Sequence, residues 1–419
     1  MRILFIVPNV PSSIRPRPLN FIRGLCQRHQ VSVVCLATSE VDERSISELS
    51  QHCRSVEIVR LSRWRSLLNC LRALVSRQSL RCAYFDSPRL RAIVKARVEA
   101  QQVDLLHAEH LKTLSMVKPV LGKVPAMFDA VDCLSMLELR RRGVTKNPFL
   151  RFFSWIESKK FARSEAEASR RFNRVVISSS PDRKAYPVPP GLRNKIDVIP
   201  NGVDLEHFRF CQFQPQKNLL VFCAKLDYFP NEDAALYFTQ AVWPRLRARH
   251  PELRLEIVGS RPSHSVRRRD GKDNVRVIGS VPDVRPYLGR AWIALCPIRI
   301  RAGIQNKVLE AMALGVPLVA TSICCEGLRV VPGKHLLVAE DASGFVSAIG
   351  FLLNNVALRQ SIIESARAYV ERHHHWSDSV SALLNSYAEA VSDPAFHGRP
   401  DLGCSALRSD LEAVEGDAA

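Results

Sequence analysis

The stretch 299–313 reads R-I-R-A-G-I-Q-N-K-V-L-E-A-M-A, so Arg299, Arg301, Gly303, Ile304, Lys307 and Glu310 stand close together in the chain. An apolar run at 292–296 ends at Pro297 just before it, and 304–314 has the composition and spacing of a helix. A loop that enters a helix offers unpaired backbone amides and the positive end of the helix dipole, and both attract an anion. Lys307 in the first turn adds a full charge, and Gly303 lets a ligand come close to the main chain. The chemistry that fits is, in outline, a diphosphate site. Glu310, three residues past Lys307, can accept hydrogen bonds from sugar hydroxyls. Its competing reading is a solvent-exposed glutamate paired with Lys307 at i, i+3.

The elements that must hold this stretch are legible as alternating patterns. Strand-length apolar runs at 2–7, 30–37, 55–61, 104–107, 125–129 and 174–178 alternate with helix-length segments. The segment Y-P-V-P-P-G at 186–191 interrupts them, because proline fixes φ and removes a backbone donor. A short strand at 196–200 and a tight Asn201-Gly202 turn follow, and then strands at 218–223, 253–258, 275–278, 292–296 and 317–320. The clearest helix spans 231–250, with Ala235, Phe238, Val242 and Leu246 on one face. The pattern predicts an α/β chain of two tandem, Rossmann-like, doubly wound parallel-sheet domains whose ligand crevices face each other. The expected divisions are 1–195, 196–375, a helix at 376–391 crossing back to the first domain, and a disordered polar tail at 392–419.

Composition narrows the class. At 419 residues the chain is too long for a single core, and 46% apolar with 24% charged residues is ordinary for a globular protein. No apolar run is long enough to span a bilayer, and residues 1–10 lack a secretory signal, so a cytoplasmic location is expected. The twelve cysteines are scattered without metal or disulfide spacing and read as reduced thiols. The net charge is +19, and its placement is uneven. Residues 1–200 hold 35 Lys and Arg against 17 Asp and Glu, whereas residues 201–419 nearly balance at 25 against 24. An anionic partner for the first half is implied, but no helix-turn-helix, zinc-finger spacing or RNA-binding motif points to nucleic acid.

The segment G-I-Q-N-K-V-L-E-A-M-A-L-G-V-P-L-V at 303–319 resembles the C-terminal signature of glycosyltransferase family 4, retaining enzymes of the two-domain GT-B fold. Four further features stand in the family's order: I-P-N-G-V-D at 199–204 with Phe208 after it, Ile257-Val258-Gly259, G-S-V-P-D at 279–283, and Trp376-Ser377 ahead of Tyr387. The resemblance covers 175–390 well and the first domain loosely. It implies a nucleotide-diphosphate sugar, UDP- or GDP-linked, as donor. Glu310 would meet the ribose, Ser280, Val281 and Pro282 would lie beside the base, and Gly303 and Ile304 would cap the diphosphate. Lys225 and Lys307 would neutralise the phosphates in catalysis. The second basic residue that usually follows Lys225 is replaced here by the Pro230 and Asn231 region. Ala302 stands where the family commonly has a sugar-contacting glutamate, which leaves Arg299, Arg301 and Lys307 as candidates for that contact. The form R-x-G-x-x-x-K-x-L-E resembles a subgroup associated with bacterial exopolysaccharide and cell-surface glycan assembly.

The same resemblance bears on the first domain. Its opening loop, P-N-V-P-S-S-I-R-P-R-P at 8–18, has no glycine where the family has a glycine-rich loop; Arg15 and Arg17 could meet a phosphate there, or be ordinary surface arginines. His107 and Asp132, at expected strand ends, are candidates for contact with sugar or acceptor, against a buried histidine and a helix N-cap. Neither a metal nor any other cofactor is implied, because dipole and cations neutralise the leaving diphosphate and a donor phosphate oxygen takes the acceptor proton. The expected acceptor is a glycan or polyprenyl-linked. Arginines interleaved with leucines at 63–80, and lysines and arginines with aromatics at 149–163, suggest contact with the inner face of an anionic membrane, or helices that face the core. An epimerase or hydrolase of the same fold, or a binding protein without turnover, are the rival readings.

Overall fold

Strands buried on both faces read as continuous apolar runs rather than alternating ones, as the inner members of the seven strands in the first half of the chain do. The seven are β1 (Arg2–Val7), β2 (Gln30–Ala37), β3 (Ser55–Arg60), β4 (Leu105–Glu109), β5 (Ala126–Val131), β6 (Arg174–Ile177) and β7 (Ile196–Val198). All pair in parallel, in the order β3-β2-β1-β4-β5-β6-β7. The computed structural model describes residues 1–37 and 43–394 of the chain. The expected tail at 392–419 falls outside the described residues from 395 onward.

Two units result, the first Met1–Pro200 with the segment from Trp376 on and the second Asn201–His375. In the first, the helix Pro16–Cys26 buries Phe21, Ile22 and Leu25 against Phe5 and Val33 of the sheet. The C-terminal helix Trp376–Val391 adds Leu383, Leu384 and Tyr387 to that same core. The sequence reading placed 196–200 in the second domain, whereas β7 hydrogen-bonds β6 and closes the first sheet. The Pro-rich segment is therefore an internal loop of the first unit.

The second unit is built on β8 (Leu219–Cys223), β9 (Arg254–Val258), β10 (Val275–Gly279), β11 (Ile293–Cys296), β12 (Leu318–Ala320) and β13 (Leu337–Val338). They are again parallel, in the order β10-β9-β8-β11-β12-β13. The sequence reading missed β13, whose two residues are too few to make a pattern. The helix expected at 231–250 runs from Phe229 to Arg249, with a π turn at Phe238–Val242. Pro244 follows that turn and lacks the N–H that a regular ladder would use there. The two sheets together make the two-domain GT-B fold. No single helix among the described residues is long and apolar enough to cross a membrane.

Candidate functional site

In the second unit strand order reverses between β8 and β11, and in such sheets a crevice opens there beyond the carboxyl ends of the strands. Lys225 lies just past β8, its side chain about half exposed and its ammonium 3.6 Å from Asp227. The loop 297–305 leaves β11 and enters the helix Asn306–Leu314. Gly303 has φ +68°, a left-handed conformation that suits glycine. That turn delays the helix by two residues relative to the expected start. The helix has no side-chain cap and no acid in its first turn, so no carboxylate there competes with an anion for its opening amides. Its other end stops at Gly315, φ +76°.

Asn231, buried at the start of the helix Phe229–Tyr237, joins the two halves of this crevice. Its Nδ2 donates to the Lys225 carbonyl at 2.8 Å, and its Oδ1 accepts from Lys307 Nζ at 2.7 Å. Lys307 also stands 5.8 Å from the centre of the Phe222 ring. The I-P-N-G motif reaches the same place, since Asn201 Nδ2 donates to Asn306 Oδ1 at 2.9 Å on the first residue of the helix. His374 Nδ1 in turn donates to the Asn201 carbonyl at 2.9 Å, which fixes the ring tautomer and lets Nε2 accept from the Tyr369 hydroxyl at 3.0 Å.

Two neighbouring loops complete the crevice. Gly259 ends β9, and a Cβ there would lie 1.6 Å from the Ala224 carbonyl oxygen, so no other residue lets β8 and β9 leave the sheet this close together. Ser280 and Pro282, exposed, and Val281, half-buried, follow β10 as an open loop beside it. Glu310 is half-buried on the helix, and burial pushes its carboxyl up to about 7 while Lys307 pulls it back. Donors from a ribose would compensate that desolvation.

The arginines are placed differently from one another. Arg299 turns to the helix Phe229–Tyr237, where it pairs with Asp233 at 2.6 Å and covers the Tyr237 ring at 4.6 Å. Arg301 is fully buried and donates to Glu326 at 3.1 Å. Ala302 is buried as well. Of the three cations proposed for sugar contact, Lys307 alone stands in the crevice with Lys225 and Glu310.

In the first unit the reversal falls between β1 and β4. Arg17 is not a loop arginine: Pro16 starts the helix, so Arg17 sits inside its first turn and points into the core. Its guanidinium holds Asp129 at 2.7 and 3.2 Å and donates to the Ile199 carbonyl at 2.9 Å, so it has no face left for a phosphate. Arg15 precedes the helix at its N-cap and lends its charge to Glu109. His107 is in the middle of β4 and fully buried, stacked on Phe5 at 3.9 Å with Nδ1 2.7 Å from the Tyr387 hydroxyl. It belongs to the core rather than to the strand end. Asp132 does stand at the carboxyl end of β5, behind Val131, whose φ of +63° is an outlier for a β-branched residue. Val131 is held there by its N–H to Asp129 Oδ1 at 3.0 Å and by the Ser178 N–H on its carbonyl at 2.9 Å. Sequence reasoning passed over Glu109 at the end of β4. Burial, reinforced by Asp129, raises its carboxyl to about 8 against the pull of Arg17, Arg15 and Lys112, which makes it able to exchange a proton near neutrality.

The His107 placement has a measurable consequence. Burial lowers the imidazole to about 4, with Asp129 opposing and Arg17 assisting, while an unfolded histidine titrates near 6.5. The folded state therefore refuses a proton that the unfolded chain accepts. Stability is full above about pH 6.5 and falls by up to about 1.4 kcal/mol per unit from there down to about pH 4. Urea unfolding at pH 7 and pH 5 should show a smaller drop for His107→Gln than for the unmodified chain; equal drops would refute the assignment.

Known proteins resemble this chain in family and in fold. The Glycosyltransferase Family 4 model matches residues 18–207, and the Glycosyl transferases group 1 model matches residues 217–355, so between them they span most of the chain. D-inositol 3-phosphate glycosyltransferase of Mycobacterium marinum is 25% identical over 222 residues, 48% of this chain and 46% of that protein. Phosphatidyl-myo-inositol mannosyltransferase of Mycolicibacterium smegmatis is 28% identical over 204 residues, 46% of this chain and 52% of that protein. The chain thus spans about half the length of the curated relatives it matches. Among solved structures, Anabaena Alr3699/HepE in complex with UDP-glucose superposes with a TM-score of 0.66 at 15% identity, covering 92% of this chain and 100% of that one. Sucrose-phosphate synthase of Thermosynechococcus elongatus gives 0.63 at 16%, covering 92% and 98%. These likenesses establish the GT-B fold. With both family models matched and the signature residues gathered at the reversal point of the second sheet, the chain belongs to glycosyltransferase family 4.

Proposed function

We propose that the chain transfers a hexose-type sugar, with retention, from a UDP or GDP donor to a glycan or polyprenyl-linked acceptor at the inner face of the cytoplasmic membrane, in exopolysaccharide or cell-surface glycan synthesis. The observation that carries the reading is the grouping of Lys225, Lys307 and the Gly303–Ile304 amides where β8 and β11 diverge. The helix dipole and two ammonium groups neutralise the charge that builds on the departing diphosphate. The bond from the anomeric carbon to phosphate breaks while the bond to the acceptor oxygen forms on the same face, and a phosphate oxygen takes the acceptor proton. Lys307 takes over the sugar contact that Ala302 lacks. UDP-glucose in the Anabaena structure supports a UDP-sugar donor, and the names of the mycobacterial relatives support a phosphorylated or lipid-linked acceptor.

The test is release of nucleoside diphosphate across a panel of UDP- and GDP-sugars, with and without polyprenyl-phosphate-linked glycans, and in the presence of EDTA. Release that needs an acceptor and survives EDTA is expected. Release of equal rate without acceptor would identify a hydrolase and sink the transferase reading.

A further inference from the structure

The helix Arg63–Leu74 is inside out. It buries Ser66 and Ala73, while Trp64 is 80% exposed and Leu67, Leu68, Leu71 and Leu74 stand more than half exposed. A helix of a soluble domain normally turns such a stripe to the core. The first turns of the helix Pro148–Arg171 do the same, with Phe149 at 74% and Phe152 at 59%. Ten of the sixteen large apolar side chains that the described residues expose lie within 64–75 and 139–155. The two helices are neighbours: Lys160 Nζ donates to the Ala73 carbonyl at 2.7 Å, and Glu157 accepts the Leu80 N–H at 3.1 Å.

Charge identifies what covers this surface. Between Glu57 and Asp86 there are six arginines and no acid, and between Glu138 and Glu157 five lysines and arginines and no acid. An occupant must therefore offer both apolar depth and negative charge, which an anionic bilayer does. A hollow of about 400 Å³ lined by Arg142, Pro148, Arg151, Phe152 and Trp155 sets two guanidinium groups beside two aromatic rings 5.9 Å apart. That pairing suits a lipid phosphate above the acyl boundary.

We propose that this surface docks the chain on an anionic bilayer, with Trp64, Leu67, Leu68 and Leu71 entering the headgroup boundary and Arg142 and Arg151 holding lipid phosphates. The proposal rests on the membrane-side part of the function proposed above, and not on the transferase chemistry. The full chain is floated with phosphatidylcholine vesicles, with or without about a third phosphatidylglycerol, and UDP binding is measured on the same samples. Partitioning at least about tenfold stronger on the anionic vesicles is expected, weakening with salt. Leu67→Asp/Leu71→Asp and, separately, Arg142→Glu/Arg151→Glu each lower it at least about tenfold, and UDP binding is unchanged because both pairs belong to the first unit and the proposed donor site to the second. No preference for anionic vesicles, or no effect of the leucine variant, overturns the proposal. So does equal affinity for a DNA duplex, or a lipid-free dimer that the leucine variant dissolves. Vesicle binding without UDP binding would leave this surface standing and count against the donor site alone.

Discussion

Lys307→Ala is expected to lower kcat/KM for sugar transfer about a hundredfold or more, most of it in kcat, while the thermal midpoint moves by no more than a few degrees. The ammonium lies at the mouth of the helix Asn306–Leu314, held by Asn231 at 2.7 Å, where the proposed function places the departing diphosphate. Removing one such group commonly costs ~2.7–4 kcal/mol of transition-state stabilisation. Lys307→Arg should recover only part of the loss, because a planar fork does not reproduce a compact charge bonded to Asn231. Steady-state kinetics on a working donor and acceptor pair, with circular dichroism as the check on folding, decide the matter. Turnover unchanged in the alanine variant would mean that the diphosphate is held elsewhere.

Arg17→Ala should cost about 3–5 kcal/mol of stability, a large share of the ~5–15 kcal/mol that domains possess. The reason is what stays behind: Asp129 is 1% exposed, and the guanidinium is its ion partner. The substitution also strands the Ile199 carbonyl at the end of the first unit. Arg17→Met combined with Asp129→Asn removes both charges and should regain about half of the loss or more, because the buried uncompensated carboxylate is gone. Urea unfolding measures both variants. A loss under about 1 kcal/mol for Arg17→Ala would show that the arginine faces solvent, as the sequence alone allowed.

These two residues also mark the boundary of what the sequence discloses. The site in the second unit was legible because its parts are local: a strand, a glycine turn and a helix entry follow one another within 292–314. Asn231 was visible only as a departure from the expected basic pair, and its bridging of Lys225 and Lys307 depends on tertiary placement. In the first unit, β4 was expected to stop at His107, since H-A-E-H carries no apolar pattern to mark an end. The strand continues to Glu109, which shifts His107 into the core and brings Glu109 to the edge instead. Arg17 was misread for a similar reason: the start of its helix at Pro16 decides which way it points, and the surrounding prolines resembled a loop. The outward leucines at 67–74 could be read as core or membrane from spacing alone, and their exposure removes the core reading.

The most direct test is a calorimetric titration of the full chain with UDP, GDP and ADP, repeated on Glu310→Ala. One nucleotide, UDP before GDP, should bind with a dissociation constant at or below about 0.1 mM, and Glu310→Ala should weaken it about tenfold, as expected of lost charged hydrogen bonds to ribose. Failure of all three nucleotides to bind would contradict the account of the crevice between β8 and β11.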